Sequence, residues 1–363
     1  MLRNTLLWYV TKGVRVLAIT LRDVAQKAGV SAMTVSRVLN GRDGVDNETR
    51  RRVEDAVKAL GYFPSRVAYS RASRKTSTIG LVLRDIANPF YSILAHAAEA
   101  AARRAGYRVL LCNTEGDLRI EREYLEDFVL YGVEGLLLAP ASDESRHSVL
   151  PLLRRGFPVV LVDNTLPGVD CDVLVADNVA GAKRLVEHLG TLGHRHIAHI
   201  GDAEDTFTGR ERFQGYRDGL TALGIEYHEG LVFRTVVDQL GGYRAAQQIL
   251  TLNPRPTAIF AVNNMTAVGA MQALRERQLS VPQDIALVCF DDLESLAVLS
   301  PFLTVIDQPA AMLGKLGTQL LLERISGKAG SRHQRITLQT ELIVRLSCGA
   351  GLGAPKKQEF NIG

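Results

Sequence analysis

The sequence predicts a small all-α head followed by an α/β body of two doubly wound lobes. Residues 20–60 space their apolar side chains as short helices do, whereas apolar strand-like runs alternate with amphipathic stretches from residue 78 onward. These runs are apolar throughout, which is typical of parallel sheets covered by helices on both faces. The length of 363 residues allows two or three domains.

The stretch Thr20–Asn40 predicts two short helices joined by a tight turn. Gly29 provides a turn position where a positive φ costs little, and Ser31 is a suitable N-cap for the second helix. One face of that helix carries the apolar residues Val35, Val38 and Leu39. This is the construction of a helix-turn-helix, whose second helix enters the DNA major groove. Any two short helices can also meet at a glycine, so this pattern alone leaves both interpretations open.

The predicted head is basic, whereas the body is slightly acidic. Residues 1–75 hold 15 Lys or Arg and 6 Asp or Glu, and the remaining 288 residues hold 28 and 33. This asymmetry indicates a polyanionic partner for the head only. Arg50–Arg52 begin a third helix capped by Asp46, where they oppose the helix dipole. Contacts with DNA phosphates and a solvated charged face would both account for them.

The four cysteines and the first 19 residues indicate a cytoplasmic protein. No two cysteines form a CxxC pair, so buried reduced thiols are expected. Lys12 and Arg15 interrupt the apolar start, which is too short for a membrane span and lacks the order of a signal peptide. We expect residues 1–19 to be a disordered extension, and no other stretch is apolar enough to cross a membrane.

Within the body, strands and helices are expected to alternate. Strands are predicted at 79–83, 108–112, 135–138, 158–162, 197–200, 231–233, 258–262, 285–290, 335–338 and 341–344. Helices are predicted at 89–105, 119–131, 144–155, 179–191, 209–223, 242–250, 266–277 and 310–325. Residues 303–306 are expected to cross between lobes, and the tail from Ser347 shows no periodicity.

Both parts of the chain carry distinctive motifs. The head carries TLRDVAQKAGVSAMTVSRVLN, and the body carries IGLVLRDIANPFYSIL, PVVLVDN, GRERFQGYRDGL, AIFAVNNMTAVGAM and VPQDIALVCFDD. Over about residues 20–346, these motifs resemble those of the LacI/GalR family of bacterial transcriptional regulators. The resemblance implies that the head binds double-stranded operator DNA as half of a homodimer. It also implies a periplasmic-binding-protein-like body that binds a small-molecule effector between its lobes, with no cofactor and no enzymatic activity.

The resemblance implies the following domains. Residues 20–63 form the helix-turn-helix DNA-binding domain, 64–76 the hinge, 77–346 the effector-binding and dimerisation domain, and 347–363 a disordered tail. Lobe one takes about 77–175 and 307–337, and lobe two takes about 176–306 and 338–346. The tail lacks a leucine-repeat helix, so we expect a dimer built from the body rather than a tail-mediated tetramer.

The residues expected to contact DNA follow from the family positions. They are Thr20, Ser31, Ala32, Met33, Thr34, Ser36, Arg37, Asn40, Tyr62, Arg66, Ala68 and Arg71. Arg37 is the best candidate for reading a base, because a guanidinium can bond guanine O6 and N7 together. The small and hydroxyl residues suit methyl groups and phosphates, although Thr34 and Asn40 also suit helix capping.

The hinge departs from the family at Arg71, where a leucine usually wedges into the central minor-groove step. Arginine cannot act as an apolar wedge, but it suits a narrow minor groove with enhanced negative potential. We therefore predict less bending of the operator, or a different central step.

Seven residues are expected to bind the effector. They are Asp85, Phe90, Tyr91, Asp163, Arg212, Asn263 and Asp291, most of which follow predicted strands. Ligands bind where the carboxyl ends of parallel strands meet, and carboxylates with a guanidinium can hold vicinal hydroxyls. A sugar, sugar acid or nucleoside-like effector is therefore expected. Each residue is also an ordinary strand-end turn residue, and Asn264 stands where the family usually has Asp.

Three alternative interpretations fit the sequence less well. A metal site at His194, His196 and His199 lacks a cysteine or acidic cluster, so no metal is expected. An enzyme using Asp163 and Asp291 lacks any nucleophile-elbow or phosphate-loop motif. A transport binding protein does not account for the basic head.

Overall fold

The structure is a computed structural model that describes residues 21–39, 44–60, 76–201, 206–293 and 302–350. The chain divides into two compact units, Met1–Thr76 and Ser77–Gly363. The extension at residues 1–19 and most of the hinge, residues 64–75, lie outside the described part. Within that part, no helix is long and apolar enough to span a membrane.

The described part of the first unit contains three helices, α1 (Leu21–Ala28), α2 (Ala32–Leu39) and α3 (Asn47–Leu60). Their buried side chains are Val24, Ala25, Ala28, Val35, Val38, Val53 and Ala56. Gly29 has a φ of 64° and turns the chain between α1 and α2. Ser31 Oγ accepts a hydrogen bond from the Thr34 amide at 3.1 Å, so the serine caps α2 as its position predicts.

Lobe one of the second unit is a parallel six-stranded sheet of order β11-β5-β4-β3-β1-β2. Its strands are β1 (Thr78–Leu83), β2 (Arg108–Asn113), β3 (Leu136–Leu138), β4 (Val159–Val162), β5 (Asp172–Ala176) and β11 (Arg335–Leu338). One face packs against α4 (Pro89–Arg104) and α11 (Ala310–Ile325). The other face packs against α5 (Leu118–Leu130) and α6 (Arg146–Arg154), so the lobe is doubly wound.

Lobe two repeats this plan with the order β12-β10-β9-β8-β6-β7. Its strands are β6 (Ile197–Gly201), β7 (Val232–Arg234), β8 (Ala258–Ala261), β9 (Ala286–Phe290), β10 (Thr304–Asp307) and β12 (Glu341–Ile343). All neighbours are parallel except β10 and β12. One face packs against α7 (Asn178–Thr191) and α8 (Phe207–Ala222), and the other against α9 (Gln239–Ile249) and α10 (Asn264–Glu276).

Two strands were not expected from the sequence. Residues 303–306, predicted as a crossing segment, contribute to β10, which pairs with β9 and β12. Strand β5 begins at Asp172, and a buried carboxylate is an unusual start for a core strand. Arg324 binds this carboxylate through Nε at 2.5 Å and Nη2 at 2.9 Å, which compensates for its burial.

The prediction that the disordered tail begins at Ser347 is wrong. Ser347 and Cys348 are fully buried against lobe two. Ser347 Oγ donates to the Leu287 carbonyl at 2.5 Å and accepts from the Thr304 amide at 2.8 Å. These contacts join residues that are distant in sequence, so local composition does not reveal them. The body extends at least to Ala350, and residues 351–363 lie beyond the described part.

Candidate functional site

The outer face of α2 is the candidate DNA-binding surface of the first unit. Met33 is 68% exposed and Arg37 is exposed, whereas Val35 and Val38 on the opposite face are buried. The side chains at the start of this helix are therefore available to a partner, as a recognition helix requires.

The predicted DNA contacts divide into two groups. Ser31, Ala32, Met33, Thr34, Ser36 and Arg37 lie on or directly before α2. The Ser31 and Thr34 hydroxyls are 2.9 Å apart, so Thr34 takes part in capping whether or not it contacts DNA. The other predicted residues lie outside the described part of the chain, namely Thr20, Asn40, Tyr62, Arg66, Ala68 and Arg71.

Of the three arginines at the start of α3, Arg52 has a structural role. Its Nη2 donates to the Ala28 carbonyl at 2.6 Å and to the Gly29 carbonyl at 3.2 Å. These carbonyls are left without helical partners where α1 ends, so Arg52 satisfies the end of that helix. Arg51 is exposed and can reach a phosphate or solvent.

The second unit contains a cleft of about 1060 Å³ between its lobes. The structure brings all seven predicted effector residues to this cleft: Asp85, Phe90, Tyr91, Asp163, Arg212, Asn263 and Asp291. Lobe one contributes the first four and lobe two the last three. Strands β1, β4, β8 and β9 all end at the cleft, which explains why strand-end positions converge there.

Asp163 and Asp291 occupy equivalent positions in the two lobes. Each follows the third strand from one edge of its sheet, β4 in lobe one and β9 in lobe two. Their φ angles are 69° and 66°, in the left-handed region that Asp tolerates better than most residues. Their amides donate to the Leu174 and Ile306 carbonyls at 3.0 and 2.9 Å, which fixes both turns.

Neutral donors hold both carboxylates. Tyr91 Oη donates to Asp163 Oδ2 at 2.8 Å, as does Asn164 Nδ2, and Gln308 Nε2 donates to Asp291 Oδ1 at 2.5 Å. Burial raises the pKa of both carboxyl groups, and the positive charge of Arg212 opposes that rise. Burial also raises the pKa of Tyr91, so its hydroxyl remains a donor.

Arg212 is held rigidly at the centre of the cleft. Its Nε donates to Asn178 Oδ1 and its Nη1 to the Val262 carbonyl, both at 2.8 Å. Its guanidinium carbon lies 4.1 Å from the centre of the Phe290 ring, and Nη1 lies 3.8 Å from Asp291 Oδ2. A planar cation and two carboxylates that line one cleft are suited to a ligand with several adjacent hydroxyls.

The other cleft residues combine lining with local structure. The Phe90 and Tyr91 rings meet edge to face with centroids 5.0 Å apart. Asn263 Oδ1 caps α10 by accepting from the Thr266 amide at 2.9 Å. Asp85 Oδ1 accepts from the Ala87 amide at 2.9 Å. The turn interpretation therefore holds for Asp85 and Asn263 alongside their place in the cleft.

Several polar contacts join the lobes beside the cleft. Asn264 Nδ2 donates to Asn88 Oδ1 at 3.1 Å, and the Thr208 amide donates to Asn164 Oδ1 at 3.1 Å. Arg210, near the start of α8, forms an ion pair with Asp143 of lobe one at 2.9 Å. The lobes are thus connected by side chains at both ends of the cleft.

Sequence reasoning missed Arg84, Thr208 and Gln308, which also line the cleft. Arg84 and Gln308 directly follow strands β1 and β10, so the strand-end rule that identified Asp163 applies equally to them. Within the described ranges, no group of three or more His, Cys, Asp or Glu side chains could hold a metal ion. His199 is instead buried among aromatic rings.

Each of the two units matches a known protein family. Residues 20–65 match the model of bacterial regulatory proteins of the lacI family, and residues 186–348 match the periplasmic binding protein-like domain. The chain is 34% identical to the transcriptional repressor PurR of Mannheimia succiniciproducens, covering 90% of this chain and 98% of the relative. It is 35% identical to the ribose operon repressor of Escherichia coli K12, again covering 90% and 98%.

The fold also matches a solved structure of the Lac repressor dimer bound to operator and an anti-inducer. The TM-score is 0.76 at 28% sequence identity, and the match covers 91% of this chain and 99% of that chain. These similar proteins are transcriptional repressors and not enzymes. Taken together, the two matched domains and the full-length relatives show that the chain belongs to the LacI family of DNA-binding, effector-regulated transcriptional repressors.

Proposed function

We propose that this chain binds a pseudo-palindromic operator as a homodimer and that a small polar effector in the cleft changes its operator affinity. The observation that carries the proposal is the convergence of seven strand-end and helix-start side chains from both lobes on one cleft. A ligand contacting both lobes binds best at one separation of the lobes. It can therefore shift the equilibrium between two arrangements of the body.

The DNA part of the proposal is tested at Arg37. Arg37→Ala removes the side chain best suited to bidentate guanine contact, and a lost contact of this kind weakens binding about tenfold or more. Fluorescence anisotropy with DNA from the promoter region of its own gene measures this. Arg154→Ala, on the exposed side of α6, is the matched control. Equal affinity of Arg37→Ala and wild type would contradict the assignment of Arg37.

The effector is proposed to be a sugar, a sugar acid or a nucleoside-like compound. Asp163, Arg212 and Asp291 offer paired acceptors and donors for vicinal hydroxyls, and the Phe90 and Tyr91 rings suit the apolar face of a ring. The name of the ribose operon repressor is consistent with this class. A thermal-shift screen of sugars, sugar acids and nucleosides tests it, because ligand binding to the folded state raises the melting temperature.

Arg212 is expected to be the most sensitive position of the cleft. Arg212→Ala should abolish the effector-induced change in operator affinity, because it removes the guanidinium that lines the cleft together with both carboxylates. Arg217→Ala, on the same helix but outside the cleft, is the control and should keep the response. Operator binding without effector, measured in the same titration, reports whether each variant is folded. An unchanged response in Arg212→Ala would refute this site.

The hinge proposal rests on the sequence, since Arg71 lies outside the described residues. We propose that Arg71 enters a narrow minor groove in place of an apolar wedge. Replacing it by Leu should increase operator bending and change affinity, as measured by circular-permutation gel shift. No change in either quantity would reject the idea.

A further inference from the structure

Three arginines line the cleft, and two of them have partners within the protein. Arg212 is bound by Asn178, the Val262 carbonyl and the Phe290 ring, as described above. Arg234 forms an ion pair with Glu229 and lies over the Phe213 ring. Their charges are therefore largely satisfied before any ligand arrives.

Arg84 differs from both. It directly follows β1, is only partly exposed, and lines the lobe-one wall of the cleft. Among the described residues its guanidinium has no hydrogen-bond or ion-pair partner. A partly desolvated cation without a partner is unfavourable, because it loses hydration without replacement. An arginine retained in this state at the wall of a ligand cleft indicates that its partner belongs to the ligand.

The surroundings locate the guanidinium. A Cβ added at Gly116 would lie 3.8 Å from Arg84 Nη2, so the guanidinium lies beside the turn before α5. Burial raises the pKa of Asp163 and of Glu121, and among the opposing influences in each case is the charge of Arg84. Arg84 and Asp163 also line the same cleft, so one ligand can contact both.

Most carboxylates on this wall are already engaged elsewhere. Asp85 accepts from the Ala87 amide, Asp143 pairs with Arg210, and Glu144 pairs with Arg146. Glu115 is exposed in the turn next to Gly116 and forms no ion pair with Arg84. Glu115 would repel an anion at this place, so it should lower the affinity of the site for an anion, whereas Arg84 should raise it.

We propose that Arg84 binds an anionic group of the effector, a carboxylate or a phosphate, while Asp163, Arg212 and Asp291 hold its hydroxyls. This inference rests on the proposed function of the cleft. A guanidinium matches the geometry of either anion through two parallel hydrogen bonds. The cleft volume of about 1060 Å³ is at the upper end of small-molecule sites, about 300–1,000 Å³, so a substituent beyond one sugar ring can be accommodated.

The test uses matched compounds that differ only in the anionic group. Calorimetric titration of the full chain compares glucose, glucuronate and glucose 6-phosphate, then galactose with galacturonate, and ribose with ribose 5-phosphate. An acidic compound should bind at least about tenfold more tightly than its neutral partner, since hydrogen bonds to charged groups contribute this much. The uronates and phosphates separate the two kinds of anion.

Two variants assign the preference to Arg84. Arg84→Met should reduce the ratio of acidic to neutral affinity to near one, and Glu115→Gln should increase it. Arg154→Met, outside the cleft, should keep the wild-type ratio. The inference is overturned if the ratio survives in Arg84→Met, or if wild type shows no preference for any acidic compound, including when none of the set binds. If Arg212→Ala still bound these compounds, the cleft would be rejected as the effector site.

Discussion

Lobe one and lobe two share one strand order, yet different side chains fill the space between sheet and helices. In lobe one the central strands bury mainly aliphatic residues, such as Leu81, Leu137 and Val160. In lobe two, Tyr216 of α8 packs with Phe260 of β8 and Phe290 of β9. His199 lies among these rings with centroid distances of 5.1–5.5 Å to Phe213, Tyr216 and Phe260.

The cleft-facing surfaces of the two lobes also share backbone positions but differ in their side chains. The backbone presents Asp163 and Asp291 at equivalent places with nearly equal φ angles. The surrounding side chains differ: within the described part of the chain, Arg84 of lobe one has no hydrogen-bond or ion-pair partner, whereas Arg212 of lobe two has several. The fold therefore determines where the ligand-binding side chains lie, whereas the neighbouring side chains determine what each of them can bind.

The largest expected effect concerns a feature that both lobes share. In each lobe, two helices approach each other closely at a glycine. A Cβ at Gly314 of α11 would lie 2.2 Å from the Leu94 carbonyl oxygen of α4. A Cβ at Gly269 of α10 would lie 1.9 Å from the Gln239 carbonyl oxygen of α9. Gly314→Ala and Gly269→Ala should each lower the free energy of unfolding by about 3 kcal/mol, because backbone cannot rotate away from the added methyl.

Urea denaturation of the second unit within the full chain measures both changes. Gly330→Ala and Gly230→Ala are the matched controls, since a Cβ at either position would meet open space. Sensitivity in only one lobe would show that the lobes do not rely equally on these crossings.

The next effect is a pH dependence of folding stability that arises from His199 in lobe two. Among the described residues, neither ring nitrogen of His199 has a hydrogen-bond partner, and burial lowers its pKa from about 6.5 to about 3. The unfolded chain therefore binds a proton that the folded chain does not as pH falls below about 6.5, so folding stability falls. One pKa unit corresponds to about 1.4 kcal/mol, so wild type should lose about 2 kcal/mol from this residue between pH 7 and pH 5.

His199→Leu should remove that loss, and the difference between variant and wild type is the quantity to measure. The difference is needed because burial raises the pKa of other groups, including Asp163 and Asp291, and their protonation changes folding stability in the opposite direction as pH falls. His96→Leu, at an exposed position of lobe one, should behave as wild type. A pH dependence unchanged in His199→Leu would mean that the buried imidazole is not the cause.

Much of the cleft follows from a simple local pattern. Buried apolar runs end in a polar residue, and the sheet brings those ends to one edge. This is why Asp163, Asn263 and Asp291 could be predicted to lie together, although periodicity gave strand limits only to within a few residues. The apolar stripe Val35–Val38 likewise predicted which side of α2 remains exposed.

The rest depends on contacts between residues far apart in the chain. Arg52 satisfies carbonyls 23 and 24 positions earlier, and Gln308 bonds Asp291 across 17 positions. Ser347 fills a place beside β9 that only the folded lobe creates. Whether Arg84 has a partner is likewise a property of the assembled wall, so the sequence alone could not single it out.

The smallest effect concerns the equivalent carboxylates. Because burial raises the pKa of Asp163, keeping it ionised in the fold at neutral pH costs stability, and that cost disappears as pH falls through the raised pKa. Asp163→Asn removes the charge, and its amide oxygen can still accept from Tyr91 Oη and Asn164 Nδ2. The effector-free protein should therefore gain about 1 kcal/mol of stability at pH 7 while losing effector affinity, as when a strained binding site is relieved.

Asp291→Asn should gain less than Asp163→Asn. Arg212 attracts both carboxylates, but among the described residues it forms an ion pair only with Asp291, whose Oδ2 lies 3.8 Å from Arg212 Nη1. Removing the charge of Asp291 therefore removes the stronger of the two attractions. Thermal melts of both variants at pH 7, without effector, measure the difference. If Asp291→Asn were the more stable variant, the charge of Arg212 would be directed mainly at lobe one. Asp163, rather than Asp291, would then be the carboxylate that the charge of Arg212 mainly stabilises.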